Sequence, residues 1–155
     1  MPNRLILPLL CAASVAFASG SFTQDDRPIA SKHHAADKTA VIATTFDVTR
    51  VKDDGETVRF VLHVANNTKK MVELQFPDGQ THDFVVNDAT GKEVWRWSAG
   101  RMFTSAMRSK TLKGRAETVF EESWDAKDKH GSFTATATLR SGNFPVETSV
   151  DFVLP

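Results

Sequence analysis

The sequence predicts an all-β fold: an antiparallel sandwich of about eight or nine strands with a short irregular or helical crossover. Three observations predict it. From Ala40 to the C-terminus the apolar residues recur mostly every second position, the period of a half-buried strand. Turn-forming clusters punctuate that pattern about every ten residues. One stretch, Ser98 to Lys113, breaks the alternation and suits a crossing from one sheet to the other.

The N-terminal segment is of another kind. Arg4 gives a short basic start, Leu5 to Val15 is almost wholly apolar, and Ala16-Phe17-Ala18 fits a small-x-small cleavage pattern. This is the layout of a signal peptide over 1–18, cleaved near Ala18, and it predicts a secreted or periplasmic protein. The apolar run falls short of the roughly 20 residues that span a bilayer, so no membrane span is expected after cleavage; the alternative is an uncleaved N-terminal anchor. Cys11 is the single cysteine. Leu10 stands before it where lipidation wants a small residue. A chain cut at Ala18 therefore has no disulfide, thiolate nucleophile or cysteine metal ligand. Residues 19–38, with Asp25, Asp26, Arg27, Pro28 and Lys32, read as a flexible leader. His33-His34 points two ways and has no third ligand near it in sequence, so it reads as a solvated pair.

The domain is expected over 39–155. Ile42, Thr44, Phe46 and Val48 share one strand face, and Asp54-Gly55 marks a hairpin turn. Val58, Phe60, Leu62 and Val64 form the clearest alternation, with Arg59 and His63 facing outward. Asn66-Asn67-Thr68 turns the chain into Val72, Leu74 and Phe76. At Pro77-Asp78-Gly79 the glycine is expected to supply positive φ. Thr81 to Asn87 places His82, Phe84 and Val86 on one face and Asp83 and Val85 on the other. Asp88-Ala89-Thr90-Gly91 closes a hairpin onto Lys92–Trp97, which is apolar on both faces and reads as a central or partly capped strand. Met102, Phe103, Ala106 and Met107 recur at helix-like spacing in the crossover. Leu112-Lys113-Gly114 turns into the strand of Thr118, Phe120 and Trp124. Phe133, Ala135, Ala137 and Leu139 follow a charged loop, and the small alanines imply a bulky neighbour, a tryptophan for instance. Val146 to Leu154 completes the chain.

Chemistry is sparse. Nineteen basic residues balance nineteen acidic ones, so no global field favours nucleic acid or a membrane surface. His82-Asp83 and Glu121-Glu122 are strand neighbours and point apart, which suits neither a base with its orienting acid nor a carboxylate pair. No Gly-x-Ser-x-Gly elbow, phosphate-binding glycine loop or calcium loop occurs. No catalytic residue, metal ligand set or cofactor is expected, and the protein is not expected to be an enzyme. Trp95 and Trp97 are read as packing residues; exposure of either would turn them into a binding patch.

Phe76-x-Asp78-Gly79-Gln80-x-x-Asp83-Phe84-Val85-Val86, then Gly91-Lys92-Glu93-Val94-Trp95-Arg96-Trp97-Ser98, then Met102-Phe103-Thr104, together with Val64 to Thr68 and Phe120 to Trp124, resemble the intracellular proteinase inhibitor (BsuPI) family. The likeness runs from about Thr45 to Asp128. It implies an immunoglobulin-like β-sandwich, in agreement with the strand count, and inhibition of a serine proteinase. Gly114-Arg115-Ala116-Glu117 departs from the family's usual Pro-Gly, and the export signal departs from an intracellular site of action. The matched residues Phe76, Gly79, Asp83, Phe84, Gly91, Trp95, Trp97, Phe103 and Trp124 are signature and core positions. For a loop presented to a partner, Gly100, Arg101 and Met102 are the candidates, with Arg101 or Met102 as the inserted side chain. The partner is then a protease or another envelope protein. The alternative functions are a structural or adhesive domain of the cell envelope, and a hydrolase assembled from dispersed residues.

Overall fold

The computed structural model describes residues 28–34, 40–51 and 56–155. The expected signal peptide, Cys11, most of the leader and the Asp54-Gly55 turn lie outside the described residues. Ten strands follow in order: β1 (Ala30–His34), β2 (Ile42–Arg50), β3 (Thr57–Asn66), β4 (Val72–Phe76), β5 (His82–Asp88), β6 (Glu93–Arg96), β7 (Arg108–Leu112), β8 (Glu117–Asp125), β9 (Gly131–Leu139) and β10 (Val146–Leu154). They form two four-stranded sheets, β1-β2-β3-β8 and β10-β9-β5-β6, and a two-stranded ribbon, β4-β7. All pairings are antiparallel. The expected antiparallel sandwich is the observed fold.

The alternation explains the layering. In β3 every second residue, from Val58 to Asn66, is buried, and β2 and β8 match it in register through Val48↔Phe60 and Leu62↔Phe120. The second sheet faces them with Phe84, Val86, Phe133, Ala135, Leu139 and Phe152. Phe84 sits 5.8 Å from Phe46 and 5.9 Å from Phe60, ring centroid to ring centroid, so the two sheets meet through stacked aromatics. Such pairs add about 0.5–1.5 kcal/mol each beyond their buried area.

Asn66 fastens the ribbon to the sandwich. It is buried at the end of β3, and its amide donates to the carbonyls of Lys70 (2.7 Å), Lys113 (3.0 Å) and Leu112 (3.2 Å). Its Oδ1 accepts from the Thr68 N–H at 2.9 Å. One side chain thereby ties the β3–β4 and β7–β8 connections together through their backbone carbonyls.

Several expectations change. Ala30–His34, placed by sequence in the leader, pairs with β2 from Ala30↔Val48 to His34↔Thr44 as an edge strand. The backbone of His33-His34 belongs to this strand, and its side chains lie outside the described residues. No helix forms in the crossover; Arg108–Leu112 is a strand paired with β4. The helix-like spacing there has no apolar face to bury, since Met102 and Met107 are 98% and 79% exposed. β6 is an edge strand, not a central one. The ladder pairs Val86 with Trp95 and Asn87 with Glu93, so Val94 is the extra residue of a bulge. That bulge is why consecutive positions of β6 are apolar.

Gly79 does not adopt positive φ. A Cβ there would lie 2.7 Å from Thr104 Oγ1 and 3.0 Å from Thr104 N, so the glycine permits a close approach of two backbone segments. Gly114 is similar, with Lys69 O only 2.1 Å from a would-be Cβ, and the positive φ of that turn falls on Arg115 at 64°. Gly91, at φ 82°, does supply the left-handed residue of the β5–β6 turn. The alanines of β9 stand beside Phe84 and Val86 in register (Ala137↔Phe84, Ala135↔Val86), not beside a tryptophan.

Candidate partner-binding loop

The loop follows directly from the β5–β6 hairpin. The ladder pairs Val85 with Arg96 and continues through a Trp97 N–H to Phe84 O bond of 2.9 Å, which brings Asp83 opposite Ser98. Asp83 is buried, and it gathers three bonds: from Ser98 Oγ (2.8 Å), from Ser98 N–H (3.2 Å) and from Arg96 Nη1 (3.0 Å). Arg96 also grips Glu93, with Nη2 2.6 Å from its carboxylate. The hydrogen bond to Arg96 holds the Glu93 carboxyl below its ordinary range, and the same bond, joined by one to Asp83, raises the guanidinium.

Past Ser98 the chain turns tightly. The Ala99 and Arg101 N–H groups donate to Arg96 O and Ser98 O, each at 3.2 Å, and Gly100 takes φ 74°. That left-handed geometry suits glycine. The chain then extends to Thr104, whose carbonyl accepts the Gly79 N–H at 2.7 Å. The segment is pinned at Ser98 on one side and at Thr104 on the other.

Trp97 is the floor beneath it. Its ring stacks on His82 with centroids 4.3 Å apart and touches Phe103 at 5.6 Å. The Arg101 guanidinium carbon lies 4.6 Å from the ring centroid, and Arg101 Nε donates to Trp97 O at 2.9 Å. A cation over an indole contributes about 0.5–1 kcal/mol at exposed sites. Arg101 is thus folded back onto the protein, whereas Met102, next along, is almost completely exposed. His82 completes the floor. It is buried against Phe84 and Phe120 as well as Trp97, with Nδ1 3.0 Å from Thr81 Oγ1 and Nε2 3.4 Å from Glu122. Burial pushes its pKa down, against the opposing pull of Glu122.

Of the residues singled out by sequence, the structure brings Asp83, Trp97, Gly100, Arg101, Met102 and Phe103 into one corner, with Gly79 tying its far end. Phe76, Phe84 and Trp124 are buried core, and Gly91 lies in the opposite turn of the hairpin. Trp95 is half-buried between Phe60 (5.3 Å) and Trp124 (6.1 Å). His63 lies on the outer sheet face between Glu117 and Asp47. Glu121 pairs with Arg59 while Glu122 turns inward to His82, so the two carboxylates do point apart. Sequence reading missed the anchoring by Asp83, Ser98 and Thr104. Counting back from Gly91 through the hairpin sets Asp83 against Trp97; the Val94 bulge shifts that count by one and brings Asp83 opposite Ser98.

Solved structures similar to this chain include the YjhA protein from Bacillus subtilis, at 16% identity over 76% of this chain and 93% of that one, with a TM-score of 0.42. Another is the C-terminal domain of Wzt, at 10% identity over 62% of this chain and 55% of that one, TM-score 0.35. A third is a β-glucosidase, EmGH1, from Erythrobacter marinus, at 14% identity over 63% of this chain and 13% of that one, TM-score 0.32. No curated protein matches the chain. The family model described as intracellular proteinase inhibitor, BsuPI, matches residues 45–144, a span that takes in most of β2, all of β3 to β9 and the pinned loop. The chain belongs to the intracellular proteinase inhibitor (BsuPI) family.

Proposed function

We propose that this proteinase-inhibitor-like domain is exported and inhibits a serine proteinase by presenting the loop from Ser98 to Thr104, with Met102 as the side chain inserted into the enzyme. One observation carries the choice of residue. The loop is fixed at both ends, Arg101 is committed to Trp97, and Met102, 98% exposed, is the loop's large apolar side chain that projects into solvent. A segment held in one conformation before binding loses little entropy on docking. A long apolar side chain at its tip suits a protease whose primary pocket is apolar. Export rests on Arg4, the apolar run from Leu5 to Val15 and Ala16-Phe17-Ala18.

The test is titration of subtilisin-like and trypsin-like proteases with the protein, following residual activity. The subtilisin-like enzyme is expected to be inhibited, and Met102→Asp to weaken inhibition at least tenfold. Met107→Asp, outside the pinned segment and also exposed, is expected to leave it unchanged. Equal inhibition by the Met102 variant would remove this loop from the mechanism; no inhibition of either enzyme would remove the function itself. The mass of the protein recovered from culture medium or periplasm checks export, with loss of the first 18 residues as the expected result.

A further inference from the structure

The ribbon has one closed edge and one open edge. The far side of β4 is closed by the loop after β9: Asn143 accepts the Gln75 N–H at 3.0 Å and donates to Glu73 O at 2.8 Å, and the Gly142 N–H donates to Gln75 O at 2.7 Å. The far side of β7 has no such cover. From Arg108 to Thr111 its backbone makes no hydrogen bond beyond the β4 ladder among the described residues, and all four residues are exposed. An unpaired strand edge is a template for another strand.

Its charge selects which strand. Arg108 and Lys110 lie on β7, and Lys113 and Arg115 follow in the next turn. The Arg115 N–H bonds Thr68 O at 2.9 Å, which brings Lys69 and Lys70 to the same end of the ribbon. None of these six cations forms an ion pair among the described residues. Glu117 is engaged by His63, Glu73 stands opposite Thr111, and Lys110 Nζ lies 5.8 Å from the Phe120 ring centroid. In a chain whose charges cancel overall, this corner is basic. A second copy of β7 would set these cations against themselves, so self-pairing is opposed by like charge.

We propose that the open edge of β7 binds an acidic peptide in extended conformation, by strand addition. Backbone hydrogen bonds to β7 would supply the pairing, and the flanking lysines and arginines the sign. The proposal does not depend on protease inhibition.

A fluorescent eight-residue peptide of alternating Glu and Val, followed by anisotropy at low salt, tests this. Binding is expected, with at least a tenfold loss for the Arg108→Glu/Lys110→Glu variant and no binding of the Lys-Val counterpart. The same acidic peptide with alternate amides N-methylated keeps its charge and cannot pair; it is expected to bind at least tenfold more weakly. Arg108 and Lys110 are exposed, so an unchanged thermal melt of the double variant separates lost binding from lost folding. Failure of the acidic peptide to bind overturns the proposal. Equal binding of the N-methylated peptide, or equal displacement by single-stranded DNA, would show a general polyanion surface and also overturn it.

Discussion

His82 is where the packing of this domain meets a titratable group. Its ring lies between Trp97, Phe84 and Phe120, and burial lowers its pKa below the ordinary histidine value of 6.5 despite Glu122 and Asp83 nearby; Arg101 acts in the same direction as burial. The unfolded chain therefore takes up a proton at a pH where the folded protein still refuses it. Stability is full above the unfolded pKa and falls as the pH drops through 6.5 toward the lower folded value. The urea midpoint is expected to be lower at pH 5.5 than at pH 7.5, and His82→Gln to show a smaller drop. Asp88 and Glu93 are held down by their own hydrogen bonds and stay ionised across that range. An unchanged wild-type midpoint would contradict the account. Because Trp97 rests on His82 and Arg101 on Trp97, the same residue supports the candidate loop.

At the scale of elements, connections decide where the loop and the ribbon stand. Two glycines serve close approach rather than unusual φ. Gly79→Ala would press a methyl onto Thr104, whose hydroxyl can yield but whose backbone is part of the loop anchor. An overpacking cost of about 1–3 kcal/mol is expected, with weaker protease inhibition because the loop end moves. Gly114→Ala meets the Lys69 carbonyl, which is backbone and cannot rotate away. Its urea midpoint is expected to fall further than that of Gly79→Ala. The reverse order would mean that the two turns pack differently from what is described. Sequence reading located both turns, yet it assigned positive φ to Gly79, since a Pro-Asp-Gly run has that meaning when only local geometry is considered. The distant partner of each glycine was not legible.

For the whole molecule, stability depends on the seam between the two sheets. Phe60 stands at its centre, with Phe46 on its own sheet and Phe84, Trp95 and Phe152 from the other. Phe60→Ala is expected to cost about 3–5 kcal/mol in a urea melt, the range for a buried aromatic. A loss under about 1 kcal/mol would show that the sheets do not depend on this contact. Trp95 and Trp97 illustrate how far sequence could go. Their alternation placed them on one inward face, and both do pack. It did not say that one joins the seam with Phe60 and Trp124 while the other becomes the floor of a loop.

The sequence by itself determined the layering, the faces of the long strands, the hairpin at Gly91 and the family, because alternation and turn chemistry are local properties of a chain. It also marked Gly100 to Met102 as a loop. The tertiary structure alone decided that β6 and β7 are edges, that Ala30–His34 joins a sheet, and that Arg101 is bound while Met102 is free. Those outcomes depend on which distant backbone and side chains fill or leave open the space beside a strand. No period in the sequence records that.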